Sequence, residues 1–282
     1  MKLVRFGAAG HEKPGILDDA ETIRDLSGVI DDFTPDRMTP DLVSQLSSLD
    51  LSSLPAADAG ARMGSPVKTT GHFIAIGLNY VDHAIESGME PPVEPVVFSK
   101  APSCIVGPDD DVMIPKNSEK TDWEVELAVV IGKRASCISQ DEALSHVFGY
   151  MICNDVSERF LQIEGTGQWI KGKSAPTFGP LGPWLVTADE LGDPQNLDMW
   201  LDVNGKRCQT GNTRTMIFDV AHLVWYLSQI MTLEPGDIIT TGTPPGVGMG
   251  MKPPTYLKAG DTMALGIEKL GEQHQKVVAF SG

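Results

Sequence analysis

The segment from Trp123 to Gly132 restricts the fold most, because it joins two glutamates to a continuous apolar run rich in valine and isoleucine. Such a run predicts a strand buried within a sheet. Side chains alternate between the faces of a strand, so Glu124 and Glu126 are expected on the same face. Two adjacent carboxylates repel each other and are costly to remove from water, and a bound cation is the simplest way to offset that cost. The alternative is a solvated strand end that carries two surface acids.

The composition is that of an ordinary globular protein and narrows the range of partners. A chain of 282 residues suffices for one large domain, or for one domain with a small appendage. The 38 Asp and Glu residues outnumber the 22 Lys and Arg residues, which argues against nucleic acid or an anionic membrane as a partner. The sequence contains neither a run of about 20 apolar residues nor a signal-peptide core, and its four cysteines form no CxxC pair. We therefore expect a cytoplasmic protein with reduced thiols.

The pattern of short apolar segments predicts two units of unequal size. Residues 1–65 are expected to form a small N-terminal domain and linker, and residues 66–282 the main domain. In the small unit, Leu3–Phe6 and Gly15–Leu17 are predicted to pair as a hairpin, and Asp25–Ile30 to form a third strand. Strands outnumber helices over the whole chain and do not alternate with them, which favours a β-rich α+β fold.

Local signals place three further elements in the main domain. Asn204 and Gly205 form the strongest short hairpin signal. Apolar residues at helical spacing predict an amphipathic helix within Thr215–Met231. Ser139 and Glu142 form a capping box, which predicts the start of a short helix.

Three residues outside the acidic strand could take part in chemistry. Helical spacing puts His83 and Glu86 on one face, one turn apart, where a carboxylate can orient an imidazole as a general base. The alternative is an ordinary pair on a helix surface. Asp155 ends a predicted strand and precedes a predicted helix, so it could be a helix N-cap or a third carboxylate of a metal site.

Two loops could add to such a site. Lys173 precedes a loop rich in proline and glycine, and it would matter if it faced the same cleft as the acids. Thr243 begins the glycine-rich loop 243–248, whose glycines allow close approach of a ligand to the backbone. Its hydroxyl can donate or accept a hydrogen bond. The loop lacks the GK[ST] of a phosphate-binding loop.

Taken in order, these motifs resemble the fumarylacetoacetate hydrolase family, in its bacterial 2-oxo-acid branch, over roughly residues 70–280. Each motif alone is common, and their order makes the resemblance specific. The motifs are Gly77-Leu78-Asn79-Tyr80 with Asp82-His83 and Glu86; Glu124-x-Glu126; Asn154-Asp155-Val156-Ser157-Glu158-Arg159; Lys173-Ser174 leading to Gly179-Pro180-Leu181-Gly182-Pro183-Trp184; and Gly242-Thr243-Pro244-x-Gly246-Val247-Gly248.

The resemblance implies a mixed β-roll or sandwich with a small N-terminal domain, assembled as a homodimer. It implies Mg²⁺ or Mn²⁺ held by Glu124, Glu126 and Asp155, which agrees with the preference of these ions for hard oxygen ligands. The implied catalytic residues are His83, Glu86 and Lys173, and the implied substrate-binding residues are Thr243, Gly242, Tyr80 and Lys100. The chain departs from the family pattern at Leu78, where many relatives carry arginine, and at Pro176, where many carry aspartate.

The implied activity is that of a β-diketone hydrolase, which cleaves a C–C bond of a 2,4-dioxo acid to give pyruvate and a carboxylic acid. Fumarylpyruvate and 2,4-diketo-3-deoxy sugar acids are examples of such substrates. The alternatives are decarboxylation of a 2-oxo acid such as oxaloacetate, isomerisation, and ureidoglycolate lyase chemistry. Retention of His83 and Glu86 favours hydrolysis, since decarboxylation needs no attacking water. A catalytically inactive binding protein is the alternative from another class, and three converging acids argue against it.

Overall fold

The computed structural model describes residues 1–86, 88–164 and 166–281. Within these ranges, no helix is long and apolar enough to cross a membrane. The α-helices are α1 (Pro40–Ser47), α2 (Val81–Glu86), α3 (Arg159–Ile163), α4 (Ile170–Lys173), α5 (Ala188–Leu191) and α6 (Val220–Ile230). The strands are β1 (Lys2–Phe6), β2 (Lys13–Leu17), β3 (Ile23–Asp25), β4 (Met63–Gly64), β5 (Phe73–Gly77), β6 (Val96–Ser99), β7 (Ile105–Val106), β8 (Val112–Met113), β9 (Thr121–Asp122), β10 (Val125–Ile131), β11 (Val147–Asn154), β12 (Ser157–Glu158), β13 (Gly179–Thr187), β14 (Asp198–Val203), β15 (Lys206–Asn212), β16 (Ile238–Thr240), β17 (Thr262–Ile267) and β18 (Gly271–Val278).

Two mixed sheets carry most of these strands. The larger has the order β3-β2-β1-β13-β11-β10-β16-β5-β6, with β4 added to β1 and β7 to β13. The smaller has the order β15-β14-β17-β18-β8, and β9 pairs with β12 separately. Most pairs are antiparallel, whereas β16 and β5 run parallel. The predicted β-rich α+β fold is confirmed.

Strand β10 lies inside the larger sheet, and all of its residues are buried, as its apolar run predicts. It pairs antiparallel with β11 on one side and with β16 on the other. The register sets Val125 opposite Asn154, so Glu124 and Asp155 come together at one end of the pair. The backbone N–H of Asp155 donates to the carbonyl of Glu124 at 2.9 Å. Sheet register alone therefore brings two distant acids to the same place.

The local signals in the main domain are confirmed with shifted boundaries. Strands β14 and β15 form the hairpin predicted from Asn204 and Gly205. Helix α6 begins later than predicted, because the Asp219 side chain accepts the His222 backbone N–H and caps the first turn there. The capping box at Ser139 is present and starts a 3₁₀ helix.

The N-terminal residues join the larger sheet. Strands β1 and β2 form the predicted hairpin, and β1 also pairs with β13 of the main domain. The prediction of a strand over Asp25–Ile30 is wrong: β3 ends at Asp25, and the chain then turns to bury Leu26 and Ile30 in the core. The β1–β13 pairing joins the two predicted units in one sheet. A domain boundary between residues 65 and 66 therefore stays a prediction.

Candidate metal centre and active site

Three carboxylates converge at the end of the β10–β11 pair. Glu124, Glu126 and Asp155 each bring one oxygen to within 4.8 Å of the others, and all three residues are buried. Burial excludes the solvated strand end as an account of the two glutamates. The N-cap of α3 is Glu158, which excludes that role for Asp155. The structure therefore brings together the three residues that the sequence analysis assigns to a metal.

The cluster has the chemistry of a divalent-cation site. Its donors are carboxylate oxygens, which Mg²⁺ and Mn²⁺ prefer. Burial and the neighbouring carboxylates of Asp155 and Glu124 raise the pKa of Glu126 well above its ordinary value. A cation at this point would remove the repulsion that opposes ionisation of Glu126. The residues present therefore fit a bound divalent ion.

Buried lysines hold two of the acids from behind. The Nζ of Lys173 lies 2.7 Å from Oε2 of Glu124 and 2.6 Å from Oδ2 of Asp155, and Nζ of Lys100 lies 2.6 Å from Oδ1 of Asp155. Burial opposes ionisation of Glu124, but the charges of Lys173 and Arg159 outweigh it and lower the pKa of Glu124 to about 2. Lys173 thus faces the acids. This is the condition that the sequence analysis set for Lys173 to take part in the site.

Arg159 and Asp122 belong to the site although the sequence analysis gave them no role. The Nη2 of Arg159 lies 2.7 Å from Oε1 of Glu124, and its Nε lies 2.8 Å from Oδ2 of Asp122. Asp122 also accepts the backbone N–H groups of Gly248 at 2.7 Å and Met249 at 3.0 Å. A signal for Asp122 was present, since it precedes Glu124 by two residues and continues the same alternation.

In the His83–Glu86 pair, His83 is buried and Glu86 is partly buried. His83 is 5% exposed, and its Nδ1 lies 3.8 Å from Oε2 of Glu86. Glu86 in turn accepts the backbone N–H of Gly246 at 2.9 Å. Burial raises the pKa of Glu86, but the neighbouring His83 and the backbone N–H of Gly246 outweigh it and leave the pKa below its ordinary value. The imidazole thus has a carboxylate beside it, and the surface-pair alternative does not hold.

Gly242, which directly precedes the glycine-rich loop, contacts the second glutamate. The backbone N–H of Gly242 donates to Oε2 of Glu126 at 2.9 Å. Gly242 has a φ of 94°, and a Cβ there would lie 2.8 Å from Cβ of Asn79, so only glycine fits. The Thr243 hydroxyl donates to the carbonyl of Val125 at 3.0 Å. Gly242 therefore positions a metal-ligand candidate, while Thr243 reaches the cleft.

A cleft opens onto this cluster. Its cavity volume is about 20 Å³, and about 410 Å³ of empty space is reached only when the part open to solvent is counted. Its polar lining consists of His83, Glu124, Glu126, Arg159, Gln162, Lys173 and Thr243. A cavity of about 20 Å³ has room for about one water molecule. The predicted catalytic histidine and lysine therefore share one opening with two of the predicted metal ligands.

Two predicted substrate-binding residues lie elsewhere, and the prediction for them is corrected. Tyr80 is 1% exposed, does not line the cleft, and its hydroxyl contacts Sδ of Met199 at 3.4 Å. Lys100 is also buried, and its Nζ donates to the carbonyl of Lys173 at 2.5 Å. Neither side chain lines the cleft, and Lys100 contacts Asp155 of the acidic cluster.

Fold and site together define a class: a β-rich domain whose buried carboxylates suit a divalent cation beside a cleft for a small molecule. A family model described as "Fumarylacetoacetate (FAA) hydrolase C-terminal" matches residues 72–278. The chain belongs to the fumarylacetoacetate hydrolase family.

Similar proteins include hydrolases and an isomerase. A provisionally named hydrolase from Burkholderia orbicola (strain MC0-3) is 58% identical over 277 residues, which cover 98% of each chain. The structure of a fumarylacetoacetate hydrolase from Exiguobacterium antarcticum superposes with a TM-score of 0.89 at 37% identity, covering 99% of this chain and 100% of that one. A probable 2-hydroxyhepta-2,4-diene-1,7-dioate isomerase from Mycobacterium abscessus gives 0.85 at 36% identity, with both chains fully covered. A maleylpyruvate hydrolase from Sphingobium sp. SYK-6, in complex with manganese(II) and pyruvate, gives 0.83 at 29% identity, with both chains fully covered.

Proposed function

We propose that this protein is a Mg²⁺- or Mn²⁺-dependent hydrolase that cleaves a C–C bond of a 2,4-dioxo acid to give pyruvate and a carboxylic acid. The observation that carries the proposal is the convergence of three buried carboxylates in a cleft that His83 also lines. The manganese and pyruvate bound by the Sphingobium maleylpyruvate hydrolase support the same ion class and product. The substrate is then a small molecule with adjacent oxygen atoms able to reach the ion.

The side chains of the cleft have separate roles in this reaction. When held by Glu124, Glu126 and Asp155, a divalent cation supplies Lewis acidity toward the oxygen atoms of the substrate. His83 accepts a proton from the water that attacks the distal carbonyl, and the Glu86 carboxylate beside it stabilises the imidazolium that results. The ammonium of Lys173 stabilises negative charge that develops on the substrate.

The proposed hydrolysis balances with the substrate and one water molecule as the only reactants. The water oxygen forms a bond to C4, and the bond between C3 and C4 breaks with its electron pair left on C3. The proton taken by His83 can return to C3, which completes pyruvate. The C4 fragment leaves as a carboxylic acid.

Replacing His83 by alanine is expected to lower kcat about 10²- to 10⁴-fold, because a positioned base contributes that much to the rate. Metal binding should persist, since His83 is not among the three carboxylates. The measurements are pyruvate release and a Mn²⁺ titration of each protein. His222→Ala is the matched control, because His222 lies on α6, outside the cleft lining. Full turnover of His83→Ala with metal bound would assign the base to another group.

The proposed function is tested with a panel of candidate substrates assayed with Mg²⁺ and with Mn²⁺. We expect pyruvate release from 2,4-dioxo acids, sugar-derived ones included. Pyruvate from oxaloacetate alone, with release of CO₂, would identify a decarboxylase, and turnover of ureidoglycolate alone would identify a lyase.

Isomerisation is the second candidate because of the Mycobacterium abscessus neighbour. A change in the absorbance of 2-hydroxyhepta-2,4-diene-1,7-dioate without pyruvate would favour it. Metal-dependent turnover of none of these would favour an inactive binding protein.

We also propose that the protein acts as a homodimer in the cytoplasm. The buried thiols of Cys104 and Cys153 are free, which agrees with a reducing compartment. Exposed apolar side chains such as Ile85 and Val93 are the kind that a second subunit can cover. Light scattering coupled to size-exclusion chromatography measures the mass, and a mass near 30.4 kDa would contradict the dimer.

A further inference from the structure

The cleft has a second wall that the proposed chemistry does not use. This apolar wall consists of Leu78, Met89, Phe98, Ile163, Trp169 and Met249. These residues come from the end of β5, the segment after α2, β6, α3, the start of α4 and the loop after β16. A wall assembled from six separate segments forms one side of the binding space.

The apolar wall is continuous with the acidic cluster. The ring of Phe98 lies 5.2 Å from Nζ of Lys173 and 5.2 Å from the ring of Trp169. Trp169 in turn packs so closely on Gly77 that a Cβ at that position would collide with its ring. Leu78 is the next residue after Gly77 in the sequence. The apolar wall is therefore the surface of the cleft that lies next to the carboxylates and Lys173.

Leu78 is held in a conformation that leucine rarely adopts. Its φ is 57°, in the left-handed region that glycine and asparagine enter at lower cost. The next residue, Asn79, is fixed in place, since its side-chain amide donates to the carbonyls of Thr241 at 2.8 Å and Phe218 at 2.9 Å. Strained backbone of this kind is concentrated at functional sites. An apolar side chain is thus kept in the cleft where the backbone favours glycine.

Both cations in the described lining of the cleft lie at its acidic end and not on the apolar wall. Among the described residues of its lining, the only lysine and arginine are Lys173 and Arg159. Lys173 contacts Glu124 and Asp155, and Arg159 contacts Glu124 and Asp122. A carboxylate on the substrate tail would lose its water along the apolar wall without gaining a free cation, which is costly.

We propose that the natural substrate is a 2,4-dioxo acid with an uncharged alkyl or aryl tail, and that Leu78 sets the preference for that tail. This inference rests on the proposed function and narrows its substrate class. It disfavours tails that end in a carboxylate or carry several hydroxyl groups, because the apolar wall offers neither a cation nor hydrogen-bond partners.

The first test compares tails on the purified protein with Mg²⁺, using 2,4-dioxo acids with methyl, propyl or pentyl tails, fumarylpyruvate and a polyhydroxylated analogue. We expect kcat/KM for pyruvate release to rise about fourfold for each added methylene until the wall is covered. The carboxylate tail should lie on the order of a hundredfold below an alkyl tail of equal length. A preference for the carboxylate or hydroxylated tail overturns the inference and leaves the proposed function intact. Pyruvate from none of the five overturns both.

The second test uses Leu78→Asn and Leu78→Gly, two residues that suit the left-handed backbone. Both variants should melt at or above the wild-type temperature, since backbone strain is relieved. The ratio of kcat/KM between the pentyl and methyl tails should fall about tenfold in each. A residue with a purely structural role would not change this ratio.

The matched control is Glu21→Gly, because Glu21 has the same φ of 57° in the turn between β2 and β3, outside the cleft lining. It should also hold or raise the melting temperature while leaving the ratio between tails unchanged. A wild-type ratio in both Leu78 variants overturns the assignment of this residue. If one variant fails to fold, the other carries the same comparison.

Discussion

Replacing Glu126 by glutamine is expected to remove metal-dependent turnover and yet leave the metal-free protein at least as stable as the wild type at neutral pH. The reason is that Glu126 is buried beside two other carboxylates, so its negative charge is unfavourable when no cation is bound. Glutamine keeps an oxygen to accept the backbone N–H of Gly242 but carries no charge. The gain should be about 1 kcal/mol, or roughly 2 °C in melting temperature.

The difference in stability between Glu126→Gln and the wild type should change with pH in a defined direction. In the folded protein the pKa of Glu126 is raised, so the folded state keeps a proton that the unfolded chain releases near its ordinary pKa of 4.5. The unfavourable contribution is therefore absent below about pH 4.5 and grows as the pH rises. Glu126→Gln should match the wild type near pH 4 and exceed it at pH 7.5 when both are measured in a chelator.

Added metal should reverse the order of the two proteins. At a Mg²⁺ concentration of 100 times Kd, the wild type should gain about 2.7 kcal/mol of stability, and the variant much less. Turnover of the variant should fall at least about 100-fold, since even residues behind metal ligands cost that much when changed. Glu272→Gln, on the exposed side of β18, is the matched control. Undiminished Mg²⁺-dependent turnover of Glu126→Gln would show that the metal assignment is wrong.

The sequence predicted those parts of the site that local periodicity encodes. Alternation along one strand placed Glu124 and Glu126 on a common face, and helical spacing paired His83 with Glu86. Asp155 was placed by its position at the end of a strand, and the register of β10 with β11 then brought it to Glu124. The two glutamates and the His83–Glu86 pair needed only knowledge of their own segment. The meeting of Asp155 with Glu124, by contrast, needed the pairing of two strands.

The parts that depend on long-range packing were not predictable in this way. Lys173 reaches Glu124 across 49 residues of chain, and no local pattern states that distance. The resemblance implied that Lys100 binds substrate, but the structure buries it against Asp155. Arg159 received no role because its partner Asp122 lies 37 residues away. Such contacts follow from the order of strands in the sheet, where β10 lies between β11, the next strand in sequence, and β16, which comes much later in the chain.

Replacing Lys173 by methionine is expected to destabilise the metal-free protein by about 3–5 kcal/mol, because it removes the ammonium shared by two buried carboxylates. Among the described residues, Glu124 then keeps only Arg159, and Asp155 only Lys100, as an ion-pair partner. This corresponds to a fall in melting temperature on the order of 6–10 °C. The Lys173 ammonium is buried and contacts both Glu124 and Asp155 at hydrogen-bond distance. Because a divalent cation would neutralise the same two groups, Mg²⁺ should recover much of the lost stability without restoring turnover.

The pH dependence and a neighbouring lysine separate this account from a general packing defect. Lys173 helps to lower the pKa of Glu124 to about 2, so the stabilisation it provides is complete above the ordinary pKa of 4.5 and is lost as the pH falls toward 2. The gap between wild type and Lys173→Met should thus be largest at pH 7.5 and narrow at pH 3. Lys171→Met, on the same short helix but exposed, is the matched control for a lost lysine. A gap that is independent of pH and insensitive to Mg²⁺ would mean that Lys173 contributes volume to the core and no charge to the acids, and the electrostatic description of the cluster would then fail with it.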